Sequence, residues 1–345
     1  MISLMFKNWF EKRIFLDYAS ATPVDWCVDL EMWKYHSHNF YNPNAIYAEG
    51  EKVKEKVEEY RAKIARMLGV SPSSIIFTSG GTEANVLAVR GVGPGQVEVR
   101  EGSHPSVAEA VRESKSKKLV LVSSPTTDNK LGRTIREERK KKNSEYPLLH
   151  IDVSQSALYF DVGLEKLACD LLTLDAAKLY GPKGIGALVV RKGVKIDIPP
   201  RGTPPVPLIA GFTKALELAV RDREREKERL LSLSTHFVNE IEKNLPQAEV
   251  SVTEPNMVNV TIAGILPEFL VLALDKEGVM ASAGPACESH KPEPPETPVR
   301  FSLGRQTTKK DIDRAVEILC RVIENMVKSG HATIQSLHHQ SQGSH

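Results

Sequence analysis

The stretch CDLLTLDAAKLYGPKGIGALVVR (residues 169–191) decides the fold. CDLLTL (169–174) and GALVVR (186–191) are short apolar runs bounded by turn formers, and each reads as a buried strand. Between them, Asp175-Ala176-Ala177-Lys178-Leu179-Tyr180 runs into a Gly-Pro-Lys-Gly turn, which puts a carboxylate and an amine at a strand end. The alternation repeats upstream. SIIFTS (74–79) reads as a buried strand, followed by a glycine turn and a helix from Thr82. KKLVLVSS (117–124) and YPLLHID (146–152) read as strands, with LGRTIREERKKKN as a helix between them. EGEKVKEKVEEYRAKIARMLGV (49–70) is a strongly periodic helix ended at Gly69. Strand, helix and strand in succession imply an α/β fold, with a parallel sheet covered on both faces.

The composition then changes. KIDIPPRGTPPVPL (195–208) holds five prolines in fourteen residues and reads as an irregular connection. A long helix over about 209–244 follows, with RDREREKER as its solvated face. AEVSVTE, NMVNVTIAG and FLVLALDKEGV mix strands and a helix, and RFSLG (300–304) reads as another strand. The final helix, TTKKDIDRAVEILCRVIENMV, has Thr307 or Thr308 as its N-cap. We therefore expect a large domain over 14–208 and a smaller α+β C-terminal domain over 209–328, joined by the long helix. Residues 1–13 are expected to pack near the smaller domain, and 329–345 to form a disordered tail whose His338–His339 pair is no designed metal site.

The 345 residues are 41% apolar and 26% charged, enough apolar content for a packed core. Lys plus Arg number 46 against 44 Asp plus Glu, so no charge excess argues for a nucleic-acid or membrane partner. MISLMF is cut off by Lys7, too short for a signal-peptide core, and the expected location is cytoplasmic. The four cysteines form no C-x-x-C pair, which fits neither a disulfide framework nor a zinc site. Cys169 and Cys320 lie in apolar periodic segments and Cys27 at a helix start, so all three read as structural. Cys287 differs: it lies in the aperiodic loop ASAGPACESH, where a cysteine is either incidental or reactive.

Ligands of open α/β sheets bind beyond the carboxyl ends of the strands. There, Ser79-Gly80-Gly81-Thr82 offers backbone N–H groups and a helix N-terminus suited to a phosphate, although Thr82 reads equally as an ordinary cap. Asp152 is a helix cap or a catalytic partner. Lys178 is a solvated amine or, if desolvated, a Schiff-base former. His104 is a loop histidine or a ring that stacks on a ligand. Together, a phosphate turn, an Asp and a Lys in successive α/β units are what pyridoxal phosphate requires.

The chain resembles the cysteine desulfurases, of the fold-type-I pyridoxal-phosphate enzymes. The similarity rests on LDYASATPVD (16–25), YNPNAIYAEG (41–50), FTSGGTEAN (77–85), SHPSV (103–107), HIDVSQSA (150–157), AKLYGPKGIGAL (177–188), SAGPAC (282–287) and VRFSLGR (299–305). It implies a fold-type-I transferase: a mainly parallel large domain and a smaller α+β domain, with pyridoxal 5'-phosphate as cofactor. By resemblance Lys178 carries the Schiff base and His104 stacks on the ring and moves protons. Asp152 holds the ring nitrogen, Gln155 the ring hydroxyl, and Gly81 and Thr82 the phosphate. Thr203 contacts a phosphate across a homodimer interface. Arg300 and Asn42 bind the substrate carboxylate. Cys287 attacks the sulfur of L-cysteine and carries it as a persulfide to an acceptor or scaffold protein for iron–sulfur or thio-cofactor assembly. The other readings are a lyase acting on selenocysteine or cystine, and a catalytically impaired relative acting as a binding partner.

The sequence departs from the family's pattern near the lysine. Asp175 stands where the family has a serine and Ala177 where it has a histidine, and Asp128-Asn129-Lys130 replaces Asn-Asn-Glu. An aspartate at that serine position repels a phosphate dianion unless it turns away or is protonated. Pro200-Arg201 compresses the text before Gly202-Thr203, and only twelve residues separate Cys287 from Arg300.

Overall fold

A computed structural model describes residues 13–125, 127, 129–200, 202–284 and 298–328. In chain order the elements begin with β1 (Ile14–Phe15), α1 (Trp26–Trp33), α2 (Ala48–Leu68), β2 (Ile75–Thr78), α3 (Gly81–Gly91), β3 (Gln96–Val99) and α4 (Pro105–Ala110). They continue with β4 (Leu119–Ser124), α5 (Asn129–Lys142), β5 (Leu148–Asp152), β6 (Leu171–Asp175), β7 (Gly186–Val190) and the long α6 (Val206–Asn244). Last come β8 (Ala248–Glu254), β9 (Met257–Ile262), α7 (Pro267–Lys276), β10 (Val279–Met280), β11 (Ser282–Ala283), β12 (Val299–Ser302) and α8 (Lys309–Lys328). Cys287 and Asp128, the N-terminal residues 1–12 and the tail with His338 and His339 lie outside the described residues.

The chain divides into two compact units, one of Thr22–Arg223 and the other of Met1–Ala21 with Glu224–His345. The first holds a six-stranded sheet in the order β2-β7-β6-β5-β4-β3. Strands β3, β4, β5 and β6 pair in parallel. The apolar runs of β4, β5 and β6 are continuous because both faces are covered. On one face Ala84, Leu87 and Ala88 of α3 and Val107 of α4 pack on Leu121, Leu148, Leu171 and Leu188. Gly69 ends α2 in the left-handed conformation at φ 67°, where an L side chain is strained and glycine is not.

The sheet is mainly parallel, with one exception to the sequence reading. β7 runs antiparallel to both β6 and β2. The cause is chain length: residues 176–185 alone connect β6 to β7, and a parallel crossover needs a dozen or more residues. The reversal matters for the site. Gly186, the first residue of β7, pairs with Thr78 on one side and Asp175 on the other, so it brings the end of β2 up to the end of β6. A Cβ on Gly186 would lie 2.5 Å from the Leu174 carbonyl oxygen and 2.8 Å from the Gly80 carbonyl carbon, so only glycine permits this approach.

At the opposite edge of the sheet Asp170 is fully buried and paired with Arg139 Nη1 at 3.0 Å and Arg191 Nη2 at 2.7 Å. Its Oδ2 also accepts the Leu149 N–H at 2.7 Å, which ties the start of β5 to the start of β6. His150, also buried, bridges three strands: Nδ1 meets Ser123 Oγ at 2.8 Å and Nε2 meets Thr173 Oγ1 at 2.9 Å.

In the second unit β11-β12-β9-β8 form an antiparallel sheet, and β1 pairs in parallel with β10. Phe237 of α6 meets Phe301 of β12 edge to face at 5.3 Å. The buried face of α8 repeats at helical spacing through Ile312, Ala315, Val316, Leu319 and Ile323. Of the two threonines proposed as its cap, Thr308 serves: Oγ1 accepts the Asp311 N–H at 3.2 Å, and Asp311 Oδ2 accepts the Thr308 N–H at 2.9 Å. Among the described residues no helix is long and apolar enough to cross a membrane.

Candidate active site

Strands β2, β4, β5 and β6 of the larger unit end at one edge, and most of the residues singled out in the sequence collect there. At the end of β2, Thr78 Oγ1 donates to the Gly80 carbonyl at 2.9 Å, and Glu83 Oε2 accepts the Ser79 N–H at 2.6 Å. Gly80 adopts φ 152°, open to glycine alone, and turns the chain into α3. Gly81 begins that helix and Thr82, exposed, follows it. The Gly81 N–H points at Asp175 Oδ2, 3.2 Å away.

Asp175 closes β6 and opens the turn that carries Lys178. Its Oδ1 accepts the Ala177 N–H at 2.9 Å, an Asx turn that starts the short 3-10 segment Ala176–Lys178. Thr22, only 2% exposed, then clamps the turn. Its Oγ1 donates to the Ala177 carbonyl at 2.9 Å and accepts the Tyr180 N–H at 2.9 Å. Tyr180 sits at φ 59°, an unfavourable conformation for a non-glycine residue, held by this bond and by the Asp25 N–H on its carbonyl at 2.9 Å. Gly181 completes the turn, since a Cβ there would be 2.8 Å from the Ala176 carbonyl oxygen. Lys178 is half-buried on a backbone fixed from both sides.

Asp152 ends β5 and is held by three donors. Ser154 N–H and Oγ reach Oδ1 at 3.0 and 2.7 Å, and Asn85 Nδ2 reaches Oδ2 at 2.8 Å. Asn85 is buried on α3, and its other amide proton goes to Ser106 Oγ at 3.0 Å. The amide orientation is forced, because the reverse would aim oxygen at a carboxylate; Asn85 Oδ1 is left buried without a partner. With its lone pair engaged by Asn85, Ser106 Oγ–H donates to His104 Nδ1 at 2.8 Å, and the Ser106 N–H donates to the same nitrogen at 3.2 Å. Nδ1 is therefore an acceptor, and a neutral His104 carries its proton on Nε2. The result is one chain of hydrogen bonds, Asp152–Asn85–Ser106–His104.

Asn85 and Ser106 stand in the quoted motifs without a role assigned to them from the sequence. The available signal was Asn85 itself, an amide on the apolar face between Ala84 and Ala88. Ala177, at the family's histidine position, contributes only its backbone. Gln155 is half-buried beside Ser154, and Thr203 is exposed. Asn42 is exposed, its Oδ1 accepting the Asn44 N–H at 2.9 Å. Arg300 belongs to the smaller unit. On β12 its Nη2 reaches Asp17 Oδ1 at 3.4 Å and Ser20 Oγ at 3.2 Å, and its buried Nε has no partner. Cys287 is outside the described residues.

Two other cysteines are chemically quiet. Burial pushes the Cys169 thiol up to about 12 and raises that of Cys320, so both resist becoming thiolates. Among the described residues no group of His, Cys, Asp or Glu could hold a metal ion. Burial pushes His150 down from its ordinary range, only partly opposed by Asp152, and keeps the imidazole neutral.

The chain is similar to known proteins along most of its length. The chain is 32% identical to cysteine desulfurase IscS of Dictyoglomus turgidum, with 92% of this chain and 96% of the relative covered. It is 31% identical to cysteine desulfurase IscS 1 of Archaeoglobus fulgidus, with 90% and 97% covered. Among solved structures, a NifS-like protein superposes with a TM-score of 0.80 at 24% identity, over 91% of this chain and all of the other. A NifS-like protein from Rickettsia africae gives 0.78 at 21%, over 90% and 99%. Both structures share the fold, a fold-type-I α/β architecture with a mainly parallel sheet. The family model for aminotransferase class-V matches residues 14–110, 96–201 and 200–315, taking in both the strand-end cluster around Lys178 and the strand that carries Arg300, and the chain belongs to that family.

Proposed function

We propose that this protein is a cysteine desulfurase that uses pyridoxal 5'-phosphate to convert L-cysteine to L-alanine, holding the sulfur as a persulfide on Cys287. The observation that carries the reading is the fixed turn of Lys178 beside Asp152 in a chain 32% identical to a cysteine desulfurase over 92% of its length. The ring end of the site fits the cofactor. Asp152 Oδ2 accepts from Asn85, and a carboxylate oxygen with a second lone pair keeps room for a protonated ring nitrogen. Lys178 would hold the aldehyde carbon, Gln155 the ring hydroxyl, and Gly81 and Thr82 the phosphate. When bound, the cofactor supplies an electron sink for the carbon next to the substrate amine.

The chain's own residues supply the rest. His104, with Nδ1 fixed as an acceptor, offers its Nε2–H as a hydrogen-bond donor, and Lys178 Nζ gives or takes the proton once released. Arg300 Nε and Nη2 would bind the substrate carboxylate, a role the resemblance also gives Asn42, and the buried Nε without a partner supports this. The Cys287 thiolate attacks the substrate sulfur: an S–S bond forms as the C–S bond breaks, the carbon is protonated, and alanine leaves. The persulfide then passes to an acceptor or scaffold protein for iron–sulfur cluster or thio-cofactor assembly.

The same proposal includes a cytoplasmic homodimer in which Thr203, exposed on the single chain, reaches the partner's phosphate. The larger and smaller units would act as cofactor and substrate domains. Alanine formation from L-cysteine by wild type and Cys287→Ala tests the reading. Loss of alanine and of protein-bound sulfur in the variant is expected. Undiminished alanine release by Cys287→Ala overturns it in favour of a lyase that does not use this thiol.

A further inference from the structure

Asp175 occupies the phosphate end of the site and is already engaged there. Its Oδ2 accepts the Gly81 N–H at 3.2 Å and its Oδ1 the Ala177 N–H at 2.9 Å. Gly81 is the first residue of α3, where a helix N-terminus favours an anion, and the anion present is part of the chain. The contact is built rather than incidental. Gly186 draws the Gly80 turn against the end of β6, and a Cβ on Gly81 would lie 3.2 Å from both Asp175 Cβ and Oδ2 and 3.3 Å from Ser154 Oγ. A second carboxylate, Glu83, takes the neighbouring Ser79 N–H. Two of the backbone donors in the turn are thus committed to internal carboxylates.

We propose that Asp175 is an internal anion that sets the cofactor selectivity of this site, so that it takes pyridoxal and pyridoxal 5'-phosphate with similar affinity. The inference rests on the pyridoxal-phosphate reading above. To use the Gly81 N–H, an incoming phosphate must displace Asp175 and then lie beside its charge. Pyridoxal, with a neutral hydroxymethyl in place of the phosphate, meets neither obstacle. A serine at the same position would offer a hydroxyl donor and free the Gly81 N–H for the phosphate.

The test is a visible-absorption titration of the full-length wild type, Asp175→Ser and Asp175→Asn with each vitamer, with Lys178→Ala as the blank that lacks the lysine-linked band. Wild type should bind the two ligands within about tenfold of each other, and Asp175→Ser should favour pyridoxal phosphate by at least about tenfold more, the scale of one charge-assisted hydrogen bond. Inorganic phosphate should raise the melting temperature of Asp175→Ser more than that of wild type. If Asp175→Ser does not fold, Asp175→Asn carries the test, since its amide oxygen can still accept the Ala177 N–H while its charge is gone. A ligand ratio unchanged in whichever variants fold overturns the proposal and leaves the cofactor reading standing. Absence of a Lys178-dependent band with either vitamer in every protein overturns both.

Discussion

Replacing Asn85 with alanine should weaken the fold and the site together, by an amount the hydrogen bonds set. The side chain makes two bonds, 2.8 Å to Asp152 Oδ2 and 3.0 Å to Ser106 Oγ, from a position only 1% exposed. A hydrogen bond to a charged group contributes about 1.5–3 kcal/mol and a neutral one about 0.5–1.5 kcal/mol. Asp152 keeps both Ser154 donors, so the carboxylate is not orphaned, and the loss of the unpartnered Oδ1 returns a little. The expected destabilisation is therefore about 2–4 kcal/mol, read as a lower urea midpoint with an unchanged m-value. A second signature separates this from generic loosening. Without Asn85, the Ser106 hydroxyl is free to reorient and its bond to His104 Nδ1 weakens, while the Ser106 N–H still holds Nδ1 as an acceptor. Nitrogen-15 NMR of His104 should show Nδ1 as the unprotonated nitrogen in both proteins, with its chemical shift displaced in Asn85→Ala as the Ser106 hydroxyl bond weakens. A variant that loses less than about 0.5 kcal/mol and leaves the His104 Nδ1 shift unmoved would refute the network.

Two further outcomes follow from buried charge. Asp170→Asn should destabilise by about 3–5 kcal/mol in urea unfolding, because buried Arg139 loses its counter-ion; an effect under about 1 kcal/mol would contradict this. His150 gives a pH signature. Burial lowers its folded pKa below the ordinary value of about 6.5, so the unfolded chain binds the proton first and stability falls as pH drops below that value. Between pH 7 and pH 5.5 this group should remove about 1.2 kcal/mol, a loss that His150→Gln should lack; parallel pH profiles for the two proteins would exclude the assignment.

How much of this was legible in the sequence depends on the range of each interaction. Strands β4, β5 and β6 were readable because burial on both faces leaves unbroken apolar runs such as LVLVSS and LLTLD. β3 was not, because Gln96–Val99 is short and half-exposed, and α4, at six residues, is too short to show a period. The direction of β7 was decided by loop length rather than by the strand's own residues. The placement of Lys178, Asp152 and Asp175 at strand ends was local information. The partners were not: Asn85 reaches Asp152 across 67 residues, and Gly81 reaches Asp175 across 94. An aspartate at a family serine position could be flagged from the text, but only the fold shows which N–H it takes.

Desulfurase activity is read at its source by incubating the full-length protein, loaded with pyridoxal 5'-phosphate, with L-cysteine while measuring alanine and the intact protein mass. Alanine should form together with one added sulfur that maps to Cys287, is removed by a thiol reductant, and is absent from Cys287→Ala and Lys178→Ala. Alanine without sulfur on Cys287, or no turnover by a protein that demonstrably holds the cofactor on Lys178, would contradict it.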